Sequence, residues 1–257
     1  MNQTALINTP SGERLICIPN PSTELMPGVC WGRFDHLFTP AFWSIRAQYA
    51  ESHGLYRQHK LGRDFTEEVI ACLLGGFGMP AELGIAAFNR LSERSLISHA
   101  ASEDEIKTAL LEPLEIRGKF MRYRYPHQKA RYVASALRRL NSECPPSHNA
   151  VAFRDWLLSF DGIGLKTASW VARNYLGSDE VAVLDIHIIR AGLLAGVFER
   201  TDRVEKSYLQ MERRLVDFAK ALGLKLSFLD ALIWDEMRQM GWIALHLLSS
   251  EKTIKPR

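Results

Sequence analysis

The sequence predicts a mostly α-helical chain of two helical lobes with a cleft between them, preceded by a short irregular or β segment. Three observations lead there. From Pro40 onward, apolar residues recur at helical spacing in ten successive windows. Capping residues and breakers stand at the window ends. The first 35 residues, by contrast, hold Pro10, Pro19, Pro21, Pro27, Gly12, Gly28 and Gly32, with only short extended runs such as Leu15-Ile16-Cys17-Ile18.

Residues 1–35 therefore read as loops with one or two short strands, packed on a helical body of residues 36–257. The windows run over 40–53, 65–75, 80–94, 102–111, 126–142, 150–159, 164–176, 186–196, 202–222 and 227–247. Asp64 precedes the second, with Glu67 placed to complete a capping box. Ser102 precedes the acidic start Glu103-Asp104-Glu105, whose charge suits a helix N terminus. Gly177 stops the helix that ends at Leu176. Pro145-Pro146 separates two others. A cleft at a lobe boundary is a common place for an active site.

Composition narrows the class. An apolar share of 47% allows a sizeable core. No window approaches the ~18 apolar residues of a membrane span. The start, MNQTALINTPSGER, lacks a basic region followed by an apolar run, so no signal peptide and an intracellular location are expected. Cys17, Cys30, Cys72 and Cys144 form no CxxC pair, which argues against a zinc ribbon. None follows Cys144, so no C-terminal four-cysteine iron–sulfur loop is expected. They read as reduced, mostly buried thiols.

The chemistry concentrates in residues 160–190. Gly162-Ile163-Gly164 is a glycine turn between helices, within a helix-hairpin-helix at about 150–176. Such a turn can point backbone N–H groups at a phosphate, helped by the positive end of the following helix. Trp156, Leu157, Phe160 and Ile163 would pack its two helices together. Taken alone, the turn also fits an ordinary helix junction. Lys166 falls in the first helical turn after it. A nucleophile needs the neutral amine, which a helix N terminus and burial both favour; a surface lysine near a phosphate is the other reading. Asp185 ends the apolar run 181–184 and precedes a helix. It reads as an N-cap, and a carboxylate held by backbone amides can also stabilise positive charge on a sugar. His187 can donate to a phosphate or serve in capping and packing.

Jointly these residues carry a family pattern. Phe160-Asp161-Gly162-Ile163-Gly164-Leu165-Lys166, then Leu184-Asp185-Ile186-His187, resembles the signature of the helix-hairpin-helix DNA glycosylase superfamily. The 19-residue interval from Lys166 to Asp185 is similar to that of its 8-oxoguanine DNA glycosylase/AP lyase branch. Residues 66–74, 86–91 and 128–132 resemble the helices ahead of the hairpin, so the likeness covers about 64–196. It implies that Lys166 forms a Schiff base with deoxyribose C1′ and that Asp185 stabilises the charged sugar. It implies that Gly162, Ile163 and Gly164 bind DNA phosphate through the backbone, with room for an alkali-metal ion and no required metal or cofactor. The partner implied is double-stranded DNA holding a damaged base, flipped from the stack.

Two departures stand out. The usual hairpin proline is Asp161 here, a negative charge near the proposed phosphate that can cap the next helix or hold a cation. The family's polar segment after its second core helix is Gly75-Gly76-Phe77-Gly78-Met79-Pro80. Phe77 or Met79 is a candidate wedge for the gap left by a flipped base, and a glycine turn with Phe77 in the core is the other reading.

Residues 117–139 hold eight Lys/Arg and no Asp/Glu, interleaved with Phe120, Tyr123, Tyr125 and Tyr132. That segment reads as a phosphate-neutralising surface, Lys129 and Arg131 included. Asp230, Trp234, Asp235 and Arg238 stand at helical spacing; Trp234 is a candidate base contact, and an exposed salt-bridge face the plainer account. The function expected is excision of 8-oxoguanine followed by β-elimination, by a monomer with no membrane partner. A same-fold glycosylase for an oxidised pyrimidine or alkylated purine is one alternative. A noncatalytic DNA-binding module is the other.

Overall fold

The computed structural model describes residues 1–55, 60–76, 78–97, 101–146 and 149–250. Four strands come first: β1 (Gln3–Thr9), β2 (Gly12–Ile18), β3 (Glu24–Met26) and β4 (Val29–Cys30). Then follow α1 (Pro40–Ser52), α2 (Phe65–Leu74), α3 (Ala81–Glu93), α4 (Glu103–Leu111), β5 (Leu114–Ile116) and β6 (Lys119–Met121). The remainder is helical: α5 (Pro126–Ser142), α6 (Ala150–Leu157), α7 (Leu165–Leu176), α8 (Ile186–Leu194), α9 (Val204–Ala221) and α10 (Leu226–Ser250). Every expected helix is present to within a few residues. None among the described residues is long and apolar enough to cross a membrane.

The chain divides into two units, residues 1–58 with 179–257, and residues 59–178. The N-terminal segment thus shares a unit with the C-terminal helices. It is also more regular than expected: β1 pairs antiparallel with β2, and β3 with β4. Ile7, Ile16 and Ile18 from β1 and β2 meet Ala41 of α1, with Trp31, Phe34 and Ile45 against them. The period-two alternation that buries Ile16 and Ile18 turns Cys17 to solvent. Cys30 and Cys144 are exposed as well, and only Cys72 is buried. The expectation of mostly buried thiols is thereby corrected.

In the other unit, α2 is the central helix. Its residues from Glu67 to Leu74 are all buried, against α3, α5 and α7. Asp64 caps it, accepting from Glu67 N at 2.9 Å. Glu67 does not complete the expected box; its carboxylate turns to Arg63, taking that residue's backbone N–H at 2.7 Å and its guanidinium. A salt bridge with Arg63, four residues earlier, takes the place of the box. At Ser102 the reciprocal box does form with Glu105, and Gly177 ends α7 with φ 62°.

Glu68 is the node of this unit. Its carboxylate has no solvent exposure. It accepts from Leu61 N (2.8 Å), Gly62 N (2.7 Å) and Asn174 Nδ2 (2.7 Å). Cys72 Sγ lies 3.6 Å from it. Arg173 donates to Asn174 Oδ1 at 2.9 Å, extending the network along α7. Removing the carboxylate strands two backbone amides and a side-chain amide without water to replace it. Glu68→Ala should therefore destabilise the fold by about 3 kcal/mol, read as a lowered urea midpoint at unchanged slope.

Candidate active site and DNA interface

The hairpin is built in the unit of residues 59–178. Helices α6 and α7 are joined through Phe160, Leu157 and Ile163, all buried. Phe65, Phe153, Trp156, Phe160 and Tyr175 form a chain of aromatic contacts, with ring centroids 4.8 to 5.3 Å apart at the closest pairs. Between the helices the chain turns at Gly162, φ +76°. A Cβ there would stand 2.1 Å from the Tyr132 ring of α5. Glycine is demanded twice, by the conformation and by the aromatic packed on it. Gly164 is different: a Cβ on it would meet nothing within 4 Å. It is the N-cap of α7 and supplies no side chain to the helix amides. The positive end of α7 is thus left for an outside acceptor.

Asp161, the residue in place of the usual proline, accepts from Ser135 Oγ at 2.9 Å. It is tied back to α5 rather than capping the next helix. Arg139 completes the support. Its guanidinium lies 3.9 Å over the Phe160 ring. It also donates to Ser159 O at 2.6 Å and pairs with Glu143.

Lys166 sits one residue inside α7, half-buried. Its charge is felt by Cys72 on α2. Burial first, then the Glu68 carboxylate, pushes the Cys72 thiol well above its ordinary range, while Arg173 and Lys166 pull the other way. Helix α7 is pinned to α2 eight residues further on, where Asn174 donates to Glu68.

The unit of residues 1–58 and 179–257 holds Asp185. It is the N-cap of α8, and one oxygen, Oδ1, accepts from both His187 N (2.8 Å) and Ile188 N (2.9 Å). Among the described residues Oδ2 has no partner. The run before it, residues 181–184, is buried and clamped by α9. Ala182 N donates to Glu212 at 2.9 Å, Tyr208 Oη donates to Ala182 O at 2.8 Å, and Leu184 N donates to Tyr208 Oη at 3.3 Å. Glu212 and Tyr208 escaped the sequence reading, which saw only two members of an amphipathic helix. Their one signal was polarity on the buried face.

His187 and Trp234 meet edge to face, ring centroids 6.3 Å apart, and Arg238 covers Trp234 at 4.5 Å. Trp234 is half-buried between the two, and Asp230 is buried. Of the face expected to be exposed on α10, Asp235 and Arg238 are exposed, while Asp230 is buried and Trp234 half-buried.

The basic segment divides its charge. Lys129 Nζ donates to Leu73 O and, at 3.1 Å, to Gly75 O; Tyr123 Oη donates to Leu74 O at 2.5 Å; Arg124 Nη1 donates to Gly78 O. Three residues of this segment thus close the C-terminal end of α2 and the glycine loop after it. Lys129 serves there as a helix C-cap, a different use from the phosphate contact expected. Tyr123 is buried. Arg131 remains exposed, its guanidinium 5.4 Å from the Tyr132 ring. Met79 is half-buried in the loop; Phe77 lies outside the described residues.

An uncapped helix start behind a glycine turn, with a lysine in the first helical turn, is a hairpin of the helix-hairpin-helix class. The chain belongs to the 8-oxoguanine DNA glycosylase family, whose profile matches residues 47–224. It is 29% identical over 201 residues to an 8-oxoguanine DNA glycosylase/AP lyase of Saccharolobus solfataricus, covering 74% of this chain and 91% of that protein. A Methanocaldococcus jannaschii 8-oxoguanine glycosylase/lyase, solved in complex with a 15mer DNA containing 8-oxoguanine, gives a TM-score of 0.53 at 25% identity, over 78% of this chain and 90% of that one. The 8-oxoguanine DNA glycosylase of Thermotoga maritima gives a TM-score of 0.58 over 76% of this chain and 93% of that one; at 21% identity the likeness is one of fold.

Two outcomes follow from this geometry. Gly162→Ala should lose about 1–3 kcal/mol of stability, since the turn or the Tyr132 ring must move. Gly164→Ala should stay within about 0.5 kcal/mol of the parent; urea unfolding measures both. The second concerns Lys129. Burial lowers its pKa from the ordinary 10.5 to about 8. Between those values the unfolded chain binds the proton and the folded chain does not, so this group makes stability rise with pH across that window. Lys129→Met should remove that rise, read as the change in urea midpoint between about pH 8 and pH 10.

Proposed function

We propose that this protein excises 8-oxoguanine from duplex DNA and then nicks the strand by β-elimination. Lys166 Nζ attacks deoxyribose C1′ as the bond from C1′ to the base breaks and the base departs. Loss of a proton from the attached amine leaves a neutral aminal at C1′; the C1′–O4′ bond then breaks, O4′ takes up a proton, and the nitrogen lone pair closes the protonated Schiff base. Removal of a C2′ proton then expels the 3′ phosphate oxygen. Asp185, a carboxylate held at one oxygen by two amides, presents negative charge to the sugar while it is positively charged. The backbone of residues 162–164 holds a phosphate of the same strand. Base recognition takes place with the nucleotide out of the stack. The enzyme acts as a monomer inside the cell and needs no cofactor for these steps.

The observation that carries this reading is the position of Lys166 directly behind an uncapped hairpin. A purely structural DNA-binding hairpin has no need of an amine there. Borohydride should trap a covalent complex between the protein and an 8-oxoguanine duplex, and Lys166→Gln should abolish it. Trapping that persists in the variant removes Lys166 from the chemistry. Salt-dependent duplex binding with no trapping in the parent favours the noncatalytic alternative, and trapping only on an oxidised-pyrimidine or alkylated-purine duplex reassigns the lesion. Asp185→Asn should lower single-turnover excision by about 10²-fold or more while duplex affinity is largely kept. An unchanged rate would reduce Asp185 to a helix cap.

A further inference from the structure

Strands β5 and β6 form a hairpin that no sequence signal announced. They pair antiparallel, Leu114 with Met121 and Ile116 with Lys119. The two turn residues, Arg117 and Gly118, have φ of 52° and 76°. Positive φ at both is the tight turn whose twist matches paired strands. The base is fixed on both sides. Arg90 donates to Glu112 O (2.9 Å) and Pro113 O (2.8 Å) before β5, and Leu114 is buried. After β6 the chain is held by Tyr123 and Arg124, which donate to Leu74 O and Gly78 O. The tip, however, is out in solvent. Phe120 is 74% exposed and Met121 41%.

An exposed phenylalanine on a well-anchored hairpin loses apolar contact it could make with a partner. The charge around it says which partner. Lys119 and Arg122 flank it, exposed and without an ion pair among the described residues, and Arg117 reaches Glu82 only at 3.5 Å. The one acid on the hairpin is Glu115, across from Phe120. A cationic tip with an aromatic at its centre fits a polyanion that also offers flat apolar surface.

We propose that the β5–β6 hairpin is a second DNA contact, separate from the glycine hairpin: Lys119 and Arg122 neutralise backbone phosphates while Phe120 packs on sugar and base surface. The inference rests on DNA being the substrate of this chain. It adds affinity for the duplex and makes no contact with the reacting sugar.

Binding of the full-length protein to an undamaged duplex, measured at several salt concentrations, tests it. Each of Lys119→Ala and Arg122→Ala should flatten the slope of log K against log salt by about 0.9. Phe120→Ser should weaken binding about tenfold with the slope unchanged. Glu115→Gln should act oppositely and tighten binding. All four positions are exposed, so melting temperatures should stay near the parent's. Affinity and slope unchanged in the Lys119, Arg122 and Phe120 variants would overturn the assignment. Borohydride trapping on the same preparations keeps the two proposals apart. A parent that traps while the variants bind like it sinks the hairpin alone. A parent that never traps, with variants that bind weakly, sinks the lyase reading and leaves the hairpin standing.

Discussion

One buried carboxylate organises the unit that carries the lysine. Glu68 has no access to water, so its charge must be met inside the protein. It is met by the backbone of residues 61–62, which lead into α2, and by Asn174 on α7. The same contacts that satisfy the charge lock α7 against α2. Lys166 lies two turns before Asn174 on that helix, about 12 Å along the axis. In the proposed chemistry the amine must reach one carbon atom, and such an amine gains from a rigid mount. The network holds the mount and leaves the amine at the helix start.

The other end of α2 faces the opposite problem, carbonyls with no helical partner. Tyr123, Arg124 and Lys129 answer it, and in doing so hold the glycine loop at Gly75 and Gly78. Arg139 is occupied similarly, at the hairpin. A segment that looks uniformly nucleic-acid-binding is therefore two things: a set of cations turned inward on carbonyls and an aromatic face, and another set left outside. Arg117, Lys119, Arg122, Arg131 and Arg138 make up the outer set, all exposed.

The same logic shapes the neighbourhood of Asp185. Its carboxylate is fixed locally, by the two amides of the helix it caps. The strand-like run leading to it is fixed from a distance, by Tyr208 and Glu212 of α9. A local cap orients the oxygens; the remote clamps fix where the cap sits.

Local rules were enough to read much of this chain. Helical periodicity and caps located all ten helices, because amphipathic spacing and N-terminal oxygens act within a few residues. The positions of the glycine turn, Lys166 and Asp185 were legible for the same reason: each belongs to its own helix end. Long-range pairing decided the rest. That Gly162 must be glycine depends on Tyr132, thirty residues earlier. That Asp161 is tied back to α5 depends on Ser135. That Lys129 caps a helix depends on where α2 ends. The β5–β6 hairpin has too few residues for an alternation to show, and Glu68 looks like any helical glutamate until its partners are known. By itself the sequence determined the helices, several of their caps and the order of the glycine turn, Lys166 and Asp185 along the chain. Only the tertiary structure decided which charges are buried and which stay free, because burial depends on neighbours that are distant in the chain.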